Sequence, residues 1–282
     1  MEWTESLTKA IEYMETHMLE PIEAAEIARA AKIPSLYLQK GFKIMTGYTL
    51  GEYVRYRRLY LAAVDLLTNG DKVIDLALRY GYETPESFTK AFTRFHGISP
   101  VQLKKNTQKV RNFHPLKVKV SIEGGENLPC TIEEMEAFRL IGMPFRCPIE
   151  QSFELIPKFW NDFKKQAIDN TNIGEYGVCI DEENGSRECL YLIAGRFLEK
   201  EIPKGMMVYE VPKMMWAKFP CIGPMPGAMQ AVYMSIFGEW FPGYPRYEMA
   251  MNVNLEWYEK GDTGKSDYRS EIWIPVRESK SC

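Results

Sequence analysis

The sequence predicts two domains: an all-α tandem helix-turn-helix of homeodomain-like repeats, then an α+β domain with antiparallel sheets and a duplicated strand-helix-strand-strand unit. Three observations predict it. The first hundred residues repeat themselves: Ile27-Ala28 returns as Leu76-Ala77, Leu38-Gln39-Lys40 as Phe88-Thr89-Lys90, Phe42 as Phe92 and Thr46-Gly47 as His96-Gly97, at an offset of 49 residues that becomes 50. Charge and texture change near residue 110. Residues 1–112 hold 16 Lys/Arg against 13 Asp/Glu, whereas 113–282 hold 19 against 25, with five of the six tryptophans. Finally, the second part reads strand, helix, strand, strand, and then does so again. The expected boundaries are a first domain over 1–109 with units at about 22–47 and 73–97, a linker at 110–114 after the polar run Lys104–Lys109, and a second domain over 115–282.

In the first unit, Ala24 to Ala31 reads as a short amphipathic helix and Ala30-Ala31-Lys32-Ile33-Pro34 as the turn. Ser35 is placed to cap a second helix running to Met45. In the second unit, Ile74 to Tyr80 leads and Gly81 turns the chain. Thr84-Pro85 gives an N-cap followed by proline at the first helical position. Gly47 and Gly97 stand where a helix C-terminus favours a left-handed residue. Leu50 to Thr68 is long enough for one helix between the units, and Phe42, Phe92, Leu38 and Phe88 fall on core faces.

A helix-turn-helix projects one exposed helix, and the DNA major groove admits an element of that width. Residues 34–105 carry 11 basic and 6 acidic side chains, a local excess that suits a polyanion. The outward candidates are Ser35, Leu36, Gln39, Lys40 and Lys43 on the first reading helix. On the second they are Thr84, Glu86, Ser87, Thr89, Lys90 and Arg94. Gln can bond adenine, Lys guanine and Glu cytosine, while Thr can touch a thymine methyl. Arg55, Arg57, Arg58, Arg94 and Lys105 suit phosphates. The bland alternative, a basic but merely solvated helix face, is weakened by the duplication.

After residue 115, Thr131–Ile141 is strand-like and Ile149–Ala167 has helical spacing. Tyr176–Ile180 and Cys189–Phe197 are strands flanking the polar turn Glu182–Ser186. Met214–Phe219 then reads as strand, Ala228–Trp240 as helix, and Glu248–Tyr258 and Tyr268–Val276 as strands. Alternation places Glu256 with Tyr258 on one strand face and Glu271 with Trp273 on another. A carboxylate among aromatic rings suits a cationic or amphipathic ligand. Equally open at this point is that both acids face solvent while the aromatics fill the core.

Other chemistry is thin. The three histidines (His17, His96, His114) lie outside the body of the second domain, no metal-ligand spacing exists, and no glycine-rich phosphate loop follows a strand, so neither metal nor cofactor is expected. No apolar run approaches the roughly 18 residues of a bilayer span. The acidic, polar N-terminus lacks the features of a secretion signal, and six cysteines without a Cys-x-x-Cys pair read as reduced thiols, so a cytoplasmic location is expected.

Residues 4–105 resemble the DNA-binding domain of AraC/XylS-type transcription regulators, most nearly the Mar/Sox/Rob branch. The resemblance is carried by Leu38-Gln39-Lys40-Gly41-Phe42-Lys43, Thr46-Gly47, Val73-Ile74-Asp75-Leu76-Ala77, Gly81-Tyr82, Ser87-Phe88-Thr89-Lys90-Ala91-Phe92 and Gly97-Ile98-Ser99-Pro100. It implies that Leu36, Gln39 and Lys40 face one major groove and that Pro85, Glu86, Thr89 and Lys90 face the next. Leu36 stands where an aromatic is frequent, and Pro85-Glu86 replaces a pair of amides, so the family's usual target sequence does not transfer.

Residues 115–282 resemble the gyrase-inhibitor-like effector-binding domain. The pieces are Ile156-Pro157-Lys158-Phe159-Trp160, Val211-Pro212-Lys213-Met214-Met215-Trp216-Ala217, Trp240-Phe241-Pro242-Gly243-Tyr244, Asn254-Leu255-Glu256-Trp257-Tyr258 and Glu271-Ile272-Trp273-Ile274-Pro275-Val276. The resemblance implies a cleft for small cationic or lipophilic molecules, with Glu256 and Glu271 as acids and Trp273 and Trp257 as aromatic wall. Trp160, Trp216 and Tyr191 complete the candidate set.

The expectation is therefore a bacterial, nucleoid-associated transcription regulator of multidrug or stress response, not an enzyme. Its partners are double-stranded DNA and a small effector. The rival is a hydrolase using Glu271 as base. A third reading adds RNA polymerase as partner, met through acids such as Glu12, Glu15, Glu20 and Glu23. Two reading helices per chain make a monomer sufficient on DNA and do not forbid a dimer.

Overall fold

The computed structural model describes residues 3–105, 110–118, 128–165, 173–182, 188–198 and 201–279. Positions 106–109 of the expected linker run and 183–186 of the expected polar turn lie outside these.

The first part is helical: α1 (Trp3–Thr16), α2 (Ala24–Ala31), α3 (Ser35–Thr46), α4 (Leu50–Thr68), α5 (Val73–Arg79), α6 (Pro85–His96) and α7 (Pro100–Lys105). Local chemistry sets the ends. At α4 the Thr49 hydroxyl accepts from the Glu52 amide at 3.0 Å, while the Glu52 carboxylate accepts from the Thr49 amide at 2.9 Å. At α6 the Thr84 hydroxyl accepts from the Ser87 amide at 3.1 Å, with Pro85 in the first turn. Both reading helices, α3 and α6, stop at a glycine with φ near +78°, Gly47 (77°) and Gly97 (78°). Ser35, expected as a cap, instead lies inside the first turn of α3. Pro34 holds the cap position, and the Ser35 hydroxyl accepts from the Gln39 amide at 3.0 Å.

Each helix-turn-helix has its own core. Leu7, Met14, Ile27, Leu38, Phe42 and Tyr53 fill the first, and Leu59, Leu66, Leu76, Phe88, Phe92 and Leu103 the second. Burial of each such side chain contributes about 1.5–3 kcal/mol. α4 reaches into both cores and ties the units together. The segment expected as a linker is anchored: the Phe113 ring lies 5.3 Å from Tyr48, 5.6 Å from Tyr56 and 6.1 Å from Phe95, which closes the seam between the two cores.

The second part holds nine strands among the described residues: β1 (Thr131–Met135), β2 (Phe138–Pro148), β3 (Tyr176–Ile180), β4 (Glu188–Arg196), β5 (Met207–Val211), β6 (Met214–Ile222), β7 (Tyr247–Met249), β8 (Val253–Tyr258) and β9 (Arg269–Glu278). α8 (Ser152–Lys165) follows β2, and α9 (Gly227–Ser235) follows β6 and continues through a π-helical turn, Ile236–Trp240. The strands form one antiparallel sheet, ordered β1-β6-β9-β8-β3-β4-β2-β5 with β7 on β9, rather than separate sheets. Two expected strands are broken, at 136–137 and at 250–252, and β5 was not expected.

The duplication is visible in the pairing. One unit is β2-α8-β3-β4 and the other β6-α9-β8-β9. Their equivalent strands β3 and β8 meet in the middle, with Gly177 opposite Glu256 and Val178 opposite Leu255. The leading strands are exchanged. β1 precedes β2 in sequence but pairs with β6, and β5 precedes β6 but pairs with β2.

The two parts are packed together through α1 and α3. The Trp3 ring packs, tilted, 5.1 Å from Phe237, and Tyr37 lies in the same cluster as Phe219, Phe237 and Phe241. Leu36, fully buried, joins Cys147, Cys179, Cys189 and Tyr191 of the sheet. Gly41 permits this closeness, since a Cβ there would stand 2.5 Å from the Trp3 ring and 2.9 Å from Phe237. The described cysteines are free thiols, with Cys147 and Cys189 sulfurs 3.8 Å apart across β2 and β4. Among the described residues no helix is long and apolar enough to cross a membrane.

Candidate functional site

A cleft of about 450 Å³ opens between α8, α9 and the C-terminal end of β8. Its walls include Ile156, Trp160, Met225, Met229, Tyr233 and Tyr258. Glu256 lies at its base, only 7% exposed. Three tyrosine hydroxyls donate to that carboxylate: Tyr191 at 2.8 Å and Tyr258 at 2.8 Å to Oε2, and Tyr233 at 3.1 Å to Oε1. The Trp160 indole donates to the Tyr191 hydroxyl at 2.8 Å. Burial first, and then the Glu256 charge, push all three phenols well above their usual range, so they remain donors.

The cation facing this base comes from the first part of the chain. Lys40, on α3, donates to Asn254 Oδ1 at 3.0 Å, and its ammonium lies 5.6 Å from the centre of the Tyr233 ring. The Asn254 amide donates to the Tyr233 hydroxyl at 2.9 Å, which completes a relay from Lys40 to Glu256. Burial opposes the lysine's charge, but the Cys179 sulfur and the Glu256 carboxylate outweigh it and hold its pKa above the ordinary value. The Cys179 thiol is itself pushed well above its usual range by its Cys189 hydrogen bond and by burial. Glu256, at the far end of that relay, is the acid that Lys40 faces.

Of the effector candidates, Glu256, Tyr191 and Trp160 are brought together. Glu271, Trp273, Trp257 and Trp216 are not, because strand alternation sends them to the opposite face of the sheet. There Trp257 pairs with Glu271, the Trp273 indole donates to Glu271 at 2.6 Å, and Trp216 is fully buried 6.5 Å from Trp273. Glu271 does not line the cleft, so the general base of the hydrolase reading has no place in it. Sequence reasoning missed Lys40, Tyr233 and Met229 as cleft residues, and Asn254 as the link between Lys40 and Tyr233. Tyr258 had a signal, since it shares a strand face with Glu256. Lys40 had none, because its partners lie in the other domain, with Asn254 214 positions away.

The two reading helices differ. On α6, Glu86 and Lys90 are exposed and Pro85 and Thr89 half-exposed; with Thr93 and Arg94 they form an open surface. On α3 the expected outward face is turned inward: Ser35 and Leu36 are fully buried, Gln39 is 8% and Lys40 5% exposed, and all lie on the side packed by the second domain. Lys43 is half-buried and reaches Glu52 at 3.4 Å. Among the phosphate candidates, Arg55, Arg94 and Lys105 are exposed. Arg57 instead grips Glu15 with two hydrogen bonds of 2.7 Å and donates to the Phe113 carbonyl. Arg58 donates to the Met18 and Glu20 carbonyls. The same pairing removes Glu15 from the expected acidic surface, of which Glu12, on α1, and Glu20, just after it, stay exposed.

A tandem helix-turn-helix carried with an acid-floored aromatic cleft is the build of an effector-responsive transcription regulator. Residues 27–106 match the helix-turn-helix domain family, and residues 131–276 match the family described as integron-associated effector binding protein. The chain belongs to that effector-binding family over its second half and to the AraC-type regulators over its first. It is similar to the regulatory protein SoxS of Salmonella typhimurium LT2, 37% identical over 90 residues, covering 32% of this chain and 84% of that one. It is also similar to the right origin-binding protein of Escherichia coli K12, 28% identical over 166 residues, covering 55% of each chain, so the match spans about half that relative's length. A solved structure described as SAV2435 bound to tetraphenylphosphonium covers 53% of this chain and 94% of that one, at 22% identity and a TM-score of 0.46.

Proposed function

We propose that the chain regulates transcription in the bacterial cytoplasm by reading DNA with α6 and α3, and that it takes a small cation with an apolar, aromatic body into the cleft above Glu256. The observation that carries the effector reading is the Glu256 carboxylate, buried among Tyr191, Tyr233, Tyr258 and Trp160. A buried carboxylate held by three phenol hydroxyls beneath an aromatic wall selects a cation that also makes apolar contacts. The DNA reading rests on the open α6 face, where Lys90 can reach guanine, Glu86 cytosine N4 and Thr89 a thymine methyl. Arg55, Arg94 and Lys105 supply phosphate contacts, and Gln39 and Lys40 supply the second set of base contacts once α3 is free. One chain carries both helices, so it acts as a monomer on DNA. The exposed acids Glu12, on α1, and Glu20, just after it, offer a surface to RNA polymerase.

Two titrations test this. Fluorescence anisotropy of a duplex from the gene's upstream region, over several salt concentrations and beside a scrambled duplex, should show sequence preference and a steep fall of log affinity with log salt. Calorimetry with tetraphenylphosphonium and with neutral triphenylphosphine oxide should show preference for the cation. Equal binding of both duplexes sinks the DNA half, and equal binding of both small molecules sinks the effector half.

A further inference from the structure

Lys40 and Glu256 are the two buried charged side chains that line the cleft; Lys164, Glu259 and Lys260 stand exposed at its mouth. Lys40 belongs to α3, the helix proposed above to read a major groove once it is free. The same helix is fixed on the second domain beside the lysine, by the Tyr37 hydroxyl donating to the Val253 carbonyl at 2.6 Å and by Leu36 among the sheet thiols. With Gln39 and Lys40 almost fully covered, α3 cannot lie in a DNA groove while it is docked here.

We propose that Lys40 is the cleft's resident counter-ion, that a cationic effector takes its place beside Glu256, and that this exchange undocks α3 for DNA. The proposal rests on the reading of the cleft as a cation site and adds its regulation. Two cations beside one carboxylate repel, and the repulsion is stronger in a desolvated cleft than in water. A displaced Lys40 that remained under the docked helix would be a buried ammonium without its anion, a state that costs more than it returns. Releasing α3 removes the conflict, because the lysine then reaches water or a base. Effector and DNA therefore favour the same undocked state, and each tightens the other by the same factor. In the absence of effector α6 is open and α3 closed, so the resting chain grips DNA with one reading helix of its two.

Calorimetry on the full chain tests this, with tetraphenylphosphonium as the cation and triphenylphosphine oxide as its neutral counterpart. Lys40→Met removes the competing charge and keeps the stem; Lys40→Arg keeps the charge. Lys40→Met should bind the cation at least about tenfold more tightly than the unaltered chain, because the competent state no longer has to be won from the lysine. Lys40→Arg should stay close to the unaltered chain, and the neutral probe should not distinguish any of them. Leu36→Ala loosens the docking without touching the charge and should also tighten cation binding, which carries the test if Lys40→Met fails to fold. If the cation binds, Glu256→Gln weakens it, and neither Lys40→Met nor Leu36→Ala tightens it, the counter-ion proposal is overturned while the cation site stands. If the cation binds neither the unaltered chain nor Lys40→Met, the cation site itself falls, and the proposal with it.

Discussion

Gly177 and Glu256 lie opposite each other on the two central strands, and a methyl group on the first would stand 2.7 Å from Oε2 of the second. It would press still harder on the Tyr191 hydroxyl that donates to the same carboxylate. The small residue is what lets a carboxylate and a phenol share the base of the cleft. Gly177→Ala is expected to push these groups apart, lowering stability by about 1–3 kcal/mol as overpacking does, and to weaken tetraphenylphosphonium binding at least about tenfold. Thermal melting and calorimetry on the same preparation read both effects.

The two acids expected in the cleft should separate on substitution. Glu256→Gln removes the buried anion and should lower affinity for a cationic ligand while sparing a neutral one of similar shape. Glu271→Gln, on the far face beside Trp273, should leave both affinities unchanged. Equal losses in the two variants would contradict the sheet register that separates them.

On DNA, Lys90→Ala should weaken specific binding by about 1–3 kcal/mol, as loss of a base contact does. Arg55→Ala and Arg94→Ala should weaken specific and scrambled duplexes alike and flatten the salt slope by about 0.9 per phosphate lost. Arg57→Ala should behave differently. Its guanidinium holds Glu15 and the Phe113 carbonyl, so the expected loss is in melting temperature, with the salt slope of the folded protein unchanged.

The Glu15–Arg57 pair also predicts a pH dependence. Burial pushes the Glu15 carboxyl up, but its hydrogen bonds from Arg57 and Tyr53 outweigh that and hold its pKa below the ordinary 4.5. The unfolded chain therefore binds this proton first as pH falls. The pair's stabilisation is complete above about pH 4.5 and is lost as pH drops through the depressed folded value. Glu15→Gln should be less stable at neutral pH, with the difference shrinking under acid. Denaturant titrations at pH 7 and below pH 4 measure it.

Elements with local causes were legible in the sequence. α4 spans Leu50–Thr68, the stretch read as long enough for one helix, and α2 and β3 fall where their patterns put them. Glu256 with Tyr258 on one face followed from alternation within a strand. Alternation does not say how two strands relate, and the register that puts Glu271 beside Trp257 is set by the hairpin between β8 and β9. The docking of α3 was invisible for a different reason. Leu36, Gln39 and Lys40 make a mixed apolar and basic face, which serves a DNA groove and a protein cleft equally well. Only contacts between residues more than 100 positions apart in the chain decide which it meets. Arg57 misled in the same way: a basic residue on a helix next to Arg55 and Arg58 reads as a phosphate ligand until Glu15 is found beneath it.

The exchange of leading strands makes the effector domain a fused dimer in covalent form: each half is completed by a strand from the other, as in an isologous pair of identical subunits. A true pair would be bound to symmetry. An acid on its central strand would appear twice, and the two copies would look out from equivalent positions of β3 and β8. Joined in one chain, the halves are free to differ. On the cleft side β8 carries Asn254, Glu256 and Tyr258, while β3 offers Gly177 and Cys179 opposite them. One half supplies the charge and its twin supplies the room.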